Sequence, residues 1–258
     1  MVVLPSCIRM LAVSRTALAR VGSYTWDREL QRQLLKARDA EQVLLLNILP
    51  ATIAERLQRQ EEVIADCLPE VKIFFADLHD FGRLTDGMEA GAVVKQLNEI
   101  VSRFDELATA HGLEKIKTIG NAYMVAGGAS VARDDHAEAV ADLALAMQQE
   151  IVKMVARCGE SFQLRIGINT GPVVGGVIGK TKFTYDLWGE TVATAWEMTA
   201  LGAPGNIQVN ESTEAKLRDQ YLFEERGEYY IKDKGTVRIS FLKGKRRGPQ
   251  PNAANGKS

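Results

Sequence analysis

The chain has 258 residues, 46% of them hydrophobic and 25% charged, with a formal net charge of −1. That balance fits one ordinary globular domain with an appendage and provides no basic field for nucleic acid. Cys7, Cys67 and Cys158 are far apart and odd in number, and His79, His111 and His136 are as scattered; no zinc spacing results, and a reducing compartment is expected. No run of about 18 apolar residues occurs, so the sequence predicts no membrane-spanning helix.

Residues 1–25 carry Arg9, Arg15 and Arg20, several serines and threonines, and no acid. They read as an organelle transit peptide, or, on a cytoplasmic chain, as a disordered leader or the truncated end of something longer. From Trp26 to about Leu49, residues Leu30, Leu34, Ala37, Leu44 and Ile48 recur at helical intervals, with Glu41 as the polar residue on the stripe. Pro50 should stop or kink that helix, and a second one follows over about Ala51 to Gln60. Residues 26–66 therefore read as surface helices packing on their own domain or as a signalling and dimerisation segment.

The texture changes from Pro69, and residues 67–243 are expected to form the main domain. Val71–Ala76 predicts a strand. Val93, Leu97, Ile100, Val101, Phe104 and Leu107 predict an amphipathic helix over 88–110. Two strands near 113–118 and 122–126 flank a tight glycine turn. Val140, Leu143, Met147, Ile151 and Met154 place a second long helix over 134–156. Phe162–Asn169 is a strand, a shorter helix follows Trp188, and short strands run to Leu242. The order strand, helix, strand, strand, helix, strand is the ferredoxin-like βαββαβ pattern of an α+β fold, with an antiparallel sheet and helices on one face. Residues 244–258 are polar, basic and rich in Pro, Gly and Asn, and read as a disordered tail.

Four segments carry chemistry. They are Phe74-Phe-Ala-Asp-Leu-His-Asp-Phe81, the hairpin Glu114-Lys-Ile-Lys-Thr-Ile-Gly-Asn-Ala-Tyr-Met124, the stretch Leu164-Arg-Ile-Gly-Ile-Asn-Thr-Gly-Pro-Val-Val-Gly-Gly-Val-Ile-Gly179, and Tyr185-Asp-Leu-Trp-Gly-Glu-Thr-Val192. In this order, over about residues 70–242, they resemble the catalytic domain of the class III nucleotidyl cyclases. The Leu-Leu-Asn-Ile-Leu-Pro50 run also resembles the segment that leads into that domain in many relatives.

The resemblance implies an attack by the ribose 3′-hydroxyl of ATP on its own α-phosphate, giving cyclic AMP and pyrophosphate. Two divalent ions, Mg²⁺ or Mn²⁺, serve that chemistry. It also implies head-to-tail pairing, as a homodimer or as a heterodimer with another cyclase domain. Metal ligands then come from one domain and base-reading groups from the other.

By the same resemblance Asp77 stands at the first metal position and Asn121 at the second, where active relatives carry Asp. An amide oxygen still ligates a hard cation but lacks the charge. Lys117 and Asp186 match the pair that reads adenine: the lysine donates to a ring nitrogen and the carboxylate accepts from the exocyclic amine. Arg165 and Lys232 match triphosphate contacts. Without the motifs, Asp77 and Asp186 would read as turn residues, and Lys117, Arg165 and Lys232 as surface charges. Ala193 and Glu197 replace the Asn and Arg that serve ribose and transition-state phosphate, and Asp80 replaces a Gly in the first segment. Three readings follow: a slow adenylyl cyclase, a degenerate nucleotide-binding partner of an intact chain, or a dimerisation domain without ligand.

Overall fold

The computed structural model describes residues 28–129, 134–158, 162–179, 181–231 and 234–246. The leader at 1–25, Lys232 and the tail beyond residue 246 lie outside the described residues. The chain divides into two compact units between Gln58 and Arg59. No helix among the described residues is long and apolar enough to cross a membrane.

The first unit holds α1 (28–46) and α2 (Ala51–Gln58). Pro50 separates them, as its missing N–H and ring require, and its carbonyl then accepts from Ile53 and Ala54 to start α2. The α1 stripe faces solvent, with Leu30 55%, Leu34 61% and Leu44 64% exposed.

The second unit is built on β1 (Ala65–His79), α3 (Phe81–Leu84), α4 (Ala90–Ala110), β2 (Glu114–Ile119), β3 (Ala122–Gly127), α5 (His136–Cys158), β4 (Gln163–Ile178), β5 (Thr184–Trp188), α6 (Glu190–Ala200), β6 (Ile207–Asn210), α7 (Glu211–Leu217), β7 (Tyr221–Ile231) and β8 (Gly235–Lys245). The sheet order is β2-β3-β1-β4-β6-β8-β7, with β5 paired to β4. All pairs are antiparallel except β4 with β6.

Strand β1 is central, and Val71 to Leu78 are all buried. Both its faces are covered, which is why this stretch reads as a continuous apolar run rather than an alternation. Phe74, Ala76 and Leu78 point into the main core with Ile100 and Phe104 of α4, Leu143 and Met147 of α5, and Leu217 of α7. The α4 and α5 stripes are the ones the periodicity predicts.

Two features differ from expectation. The helices are not all on one face: α6 packs across the opposite side of β1 and β4. Its close approach depends on Gly167, where a Cβ would sit 2.8 Å from the Ala195 carbonyl oxygen. Strand β4 also continues through the Gly- and Pro-rich stretch after Asn169, because that half pairs with the start of β1 (Cys67 with Val174) and with β5 (Gly176 with Asp186). A register shift between Leu68 and Val71 accommodates Pro69.

On the α5 face, Lys72 is 1% exposed. Its ammonium donates to Glu70 at 2.5 Å and to His136 Nε2 at 3.0 Å. Hydrogen bonds from Lys72 and then Lys216 hold the Glu70 carboxyl down at about 2.

Candidate nucleotide site

Strand register lines up the predicted residues in two rows. Lys117 on β2 lies opposite Met124 on β3, Met124 opposite Phe75 on β1, and Phe75 opposite Gly167 on β4. In the next row Ile119, Ala122, Asp77 and Arg165 stand opposite one another in the same way. Directly paired residues share a face, and rows two residues apart on one face are separated by about 7 Å. Both rows therefore open on the side that α6 crosses, where Trp196 meets Phe75 edge to face at 5.3 Å between ring centroids.

The first row leads into a groove of about 430 Å³ lined by Phe75, Lys117, Ile119, Trp188, Ala193 and Trp196. At its edge the Lys117 ammonium forms an ion pair with Asp186. The other oxygen of Asp186 accepts from the Leu187 N–H at 2.8 Å. The two residues predicted to read the base are thus brought together from β2 and β5, though 69 positions separate them in sequence. The hairpin that presents Lys117 turns at Gly120, whose φ of 60° suits the first position of a tight two-residue turn.

The second row holds Asp77 and Arg165. Arg165 Nε donates to Asp77 Oδ2 at 3.1 Å, Nη2 binds the same oxygen, and Nη1 donates to the Ala200 carbonyl at 3.0 Å. Arg165, expected on a triphosphate, is here the partner of the candidate metal ligand. Asn121 Nδ2 donates to the Leu78 carbonyl at 2.7 Å, and the Leu78 N–H donates back to the Asn121 carbonyl at 3.3 Å. Its amide thus ties the hairpin turn to β1. The described residues contain no group of three or more His, Cys, Asp or Glu that could hold a metal. One carboxylate and one amide fit a cation that takes its remaining ligands from a triphosphate and water, as Mg²⁺ habitually does, rather than a resident structural ion.

Asp80 follows β1 with φ 64° and ψ 14°, in the left-handed region. This gives a backbone reason for the Gly that the resemblance implies at this position: the turn needs positive φ, which glycine adopts at little cost and Asp tolerates. His79 and Arg83 lie 3.6 and 3.9 Å from its carboxylate.

Ala193 is exposed on α6 within the groove wall, and Glu197, one turn on, is half-buried. The start of α6 is held by residues that motif reasoning left without a role. Asn169 Nδ2 donates to the Thr191 carbonyl at 2.9 Å, and the Thr191 hydroxyl donates to the Pro172 carbonyl at 2.6 Å. Lys234 Nζ donates to Thr194 Oγ1 at 2.9 Å. Asn169 had a signal, since a polar amide inside an apolar strand needs a partner; Lys234 had none.

The sheet order and the helix that crosses the face carrying both rows bring the four sequence segments together on one surface. Residues 63–244 match the family described as the adenylate and guanylate cyclase catalytic domain, and the chain belongs to it. It is 39% identical over 219 residues to an adenylate cyclase of Mycobacterium tuberculosis, covering 84% of this chain and 49% of that one. It is 36% identical over 217 residues to the human guanylate cyclase soluble subunit beta-2, covering 83% of this chain and 35% of that one. The chain thus spans about half the length of the mycobacterial relative it matches. The catalytic core of a rhodopsin-guanylyl cyclase with converted specificity, solved with ATPαS, superposes with a TM-score of 0.66 at 30% identity, covering 70% of this chain and 98% of that one. The guanylate cyclase domain of RhGC from Catenaria anguillulae, solved with GTP, superposes with a TM-score of 0.67 at 28% identity, covering 70% and 100%.

Proposed function

We propose that the domain binds ATP at a site shared between two cyclase domains and converts it to cyclic AMP and pyrophosphate at a reduced rate. The Lys117–Asp186 pair at the groove is the observation that carries this reading. Adenine offers a ring-nitrogen acceptor beside an amine donor, matching an ammonium next to a carboxylate. Guanine offers the opposite polarity at both points. The apolar groove walls from Phe75, Trp188 and Trp196 suit the face of a base.

In the reaction the 3′-oxygen bonds to the α-phosphorus, the bond from that phosphorus to the β-bridging oxygen breaks, and the hydroxyl proton leaves to solvent. Asp77, with Asn121 as a neutral helper, would hold Mg²⁺ or Mn²⁺, which lowers the pKa of the hydroxyl and neutralises the triphosphate. Arg165 offers a planar fork to phosphate oxygens. Head-to-tail pairing of two chains sets the second row of one against the groove of the other. The exposed stripe of α1 supports a dimerising or signalling role for residues 26–66.

A second reading is that the domain is a nucleotide-binding partner of an intact cyclase domain. It is favoured by α6, where Ala193 offers no hydrogen bond to a ribose and Glu197 sets a negative charge near a polyanion. Losing one transition-state donor typically costs about 10²–10³ in rate. Purified chain with ATP and Mn²⁺ decides between them. Cyclic AMP above a Lys117→Ala control supports the enzyme. An ATP-dependent rise in Tm without product supports the partner. No nucleotide-dependent shift overturns both.

A further inference from the structure

We infer that Arg165 and Asp77 form a latch in which each hinders the other's ligand, so that metal and triphosphate each bind more tightly when the other is present. The roles of the two residues rest on the reading above; the latch itself rests on their geometry. They stand directly opposite across β4 and β1, so the backbone holds them side by side. Two guanidinium nitrogens, Nε and Nη2, engage one oxygen of Asp77. The third, Nη1, is fixed to the Ala200 carbonyl at the end of α6, which keeps the fork aimed at the carboxylate. The side chains are 21% and 11% exposed, so solvent screens the pair weakly.

The consequence is electrostatic. A divalent cation approaching alone meets a carboxylate already neutralised and a guanidinium that repels it. A triphosphate approaching alone meets a guanidinium already neutralised and a carboxylate that repels it. Arriving together, they separate the pair: Asp77 goes to the cation and Arg165 to the phosphate oxygens. Neither charge is then left unpaired in a poorly solvated place. Linkage makes this reciprocal, since metal must raise nucleotide affinity by the factor by which nucleotide raises metal affinity. Arg165 is in this sense a positioning residue for the metal, acting through Asp77.

Two binding measurements, neither of them turnover, test the latch. The first is Mn²⁺ binding to nucleotide-free protein, read by electron paramagnetic resonance. Arg165→Gln should raise Mn²⁺ affinity by about fivefold or more, the lower end of typical coupling between sites. Arg165→Lys, which keeps a charge but loses the fork, should fall between. Unchanged Mn²⁺ affinity in Arg165→Gln, with circular dichroism showing a folded chain, overturns the latch. The second is ATP binding in EDTA. Asp77→Asn should strengthen it, and that gain should shrink in the Arg165→Gln background, because less is left to release. A gain of equal size in both backgrounds means that Asp77 merely repels phosphate, and the latch is wrong. Equal affinity for GTP and ATP would sink the base assignment without touching the latch, and if no nucleotide binds, the Mn²⁺ measurement still decides it.

Discussion

Replacing Lys117 by Met separates the structural weight of the Lys117–Asp186 pair from its part in reading a base. The two side chains are unequally placed, 32% exposed for Lys117 and 13% for Asp186. Removing the lysine leaves the more buried carboxylate with only the Leu187 N–H. A fully buried orphan charge costs about 3–5 kcal/mol; partial exposure, and a Met stem that still packs on the groove, reduce this to about 1–2 kcal/mol. Asp186→Asn strands only the more exposed partner and keeps an acceptor for Leu187, so it should cost about 0.5 kcal/mol or less. Under the proposed function each substitution should also remove one charge-assisted contact to adenine, worth about 1.5–3 kcal/mol, or about 10–100-fold in ATP affinity. GTP, which never matched the pair, should lose less. Thermal denaturation gives the stabilities, and titration with non-hydrolysable ATP and GTP analogues gives the affinities. Greater destabilisation by Asp186→Asn, or equal losses of both nucleotides, would refute the reasoning.

Asp80→Gly should stabilise the domain by about 0.5–1 kcal/mol by relieving a left-handed Asp, seen as a higher Tm; a lower Tm would mean that the His79 and Arg83 contacts matter more than the backbone. The pair Ala193→Asn and Glu197→Arg should increase cyclic AMP formed with Mn²⁺ by about tenfold or more, and an unchanged rate would mean that α6 does not face the transferring phosphate. Asn121→Asp should cost about 1–2 kcal/mol without metal, because a carboxylate would replace the amide donor to the Leu78 carbonyl; Mn²⁺ should recover part of that Tm. Glu70 titrates from a folded pKa of about 2 against an ordinary 4.5, so its share of stability is complete above about pH 4.5 and lost as pH falls toward 2. Glu70→Gln should flatten the fall of Tm in that window.

The helices α4 and α5 were legible because each buries one stripe, and burial of a stripe is written as a 3.6-residue period. The face on which α6 lies was not legible. Its determinant is a missing side chain at Gly167, and a pattern of apolar residues does not record where a backbone makes room. The second half of β4 was hidden for a related reason. Gly171, Pro172, Gly175 and Gly176 have turn propensities, and only pairing with β1 and β5 makes them strand. At the site, the motifs supplied every residue of the two rows, and the structure supplied the partners. Lys117 with Asp186 matches an expected pair. Arg165 with Asp77 does not, since register between distant strands is a tertiary property. Asp80 was visible as an odd residue, but its cause, a positive φ, required the backbone.

The position of the departures bears on which partner the domain needs. Under the proposed function Lys117 of the first row and Asp186 are the base-reading pair, and the two stand together. Asn121 and Asp80 lie at the end of the second row, on the metal side, while Ala193 and Glu197 lie on α6. Under the proposed head-to-tail pairing, a composite site takes its second row from one chain and its groove and α6 from the other. A homodimer then places both kinds of departure in every site. Pairing with an intact domain divides them: one site keeps the partner's α6 over this chain's Asp77, and the other keeps the partner's metal carboxylates opposite this chain's Lys117. Because losses within one site act on the same transition state, a site with one kind of defect retains more rate than a site with both. The mixed dimer should therefore outpace the homodimer at equal domain concentration. A mixture that adds nothing beyond the intact partner's own activity would show that the two chains do not share a site.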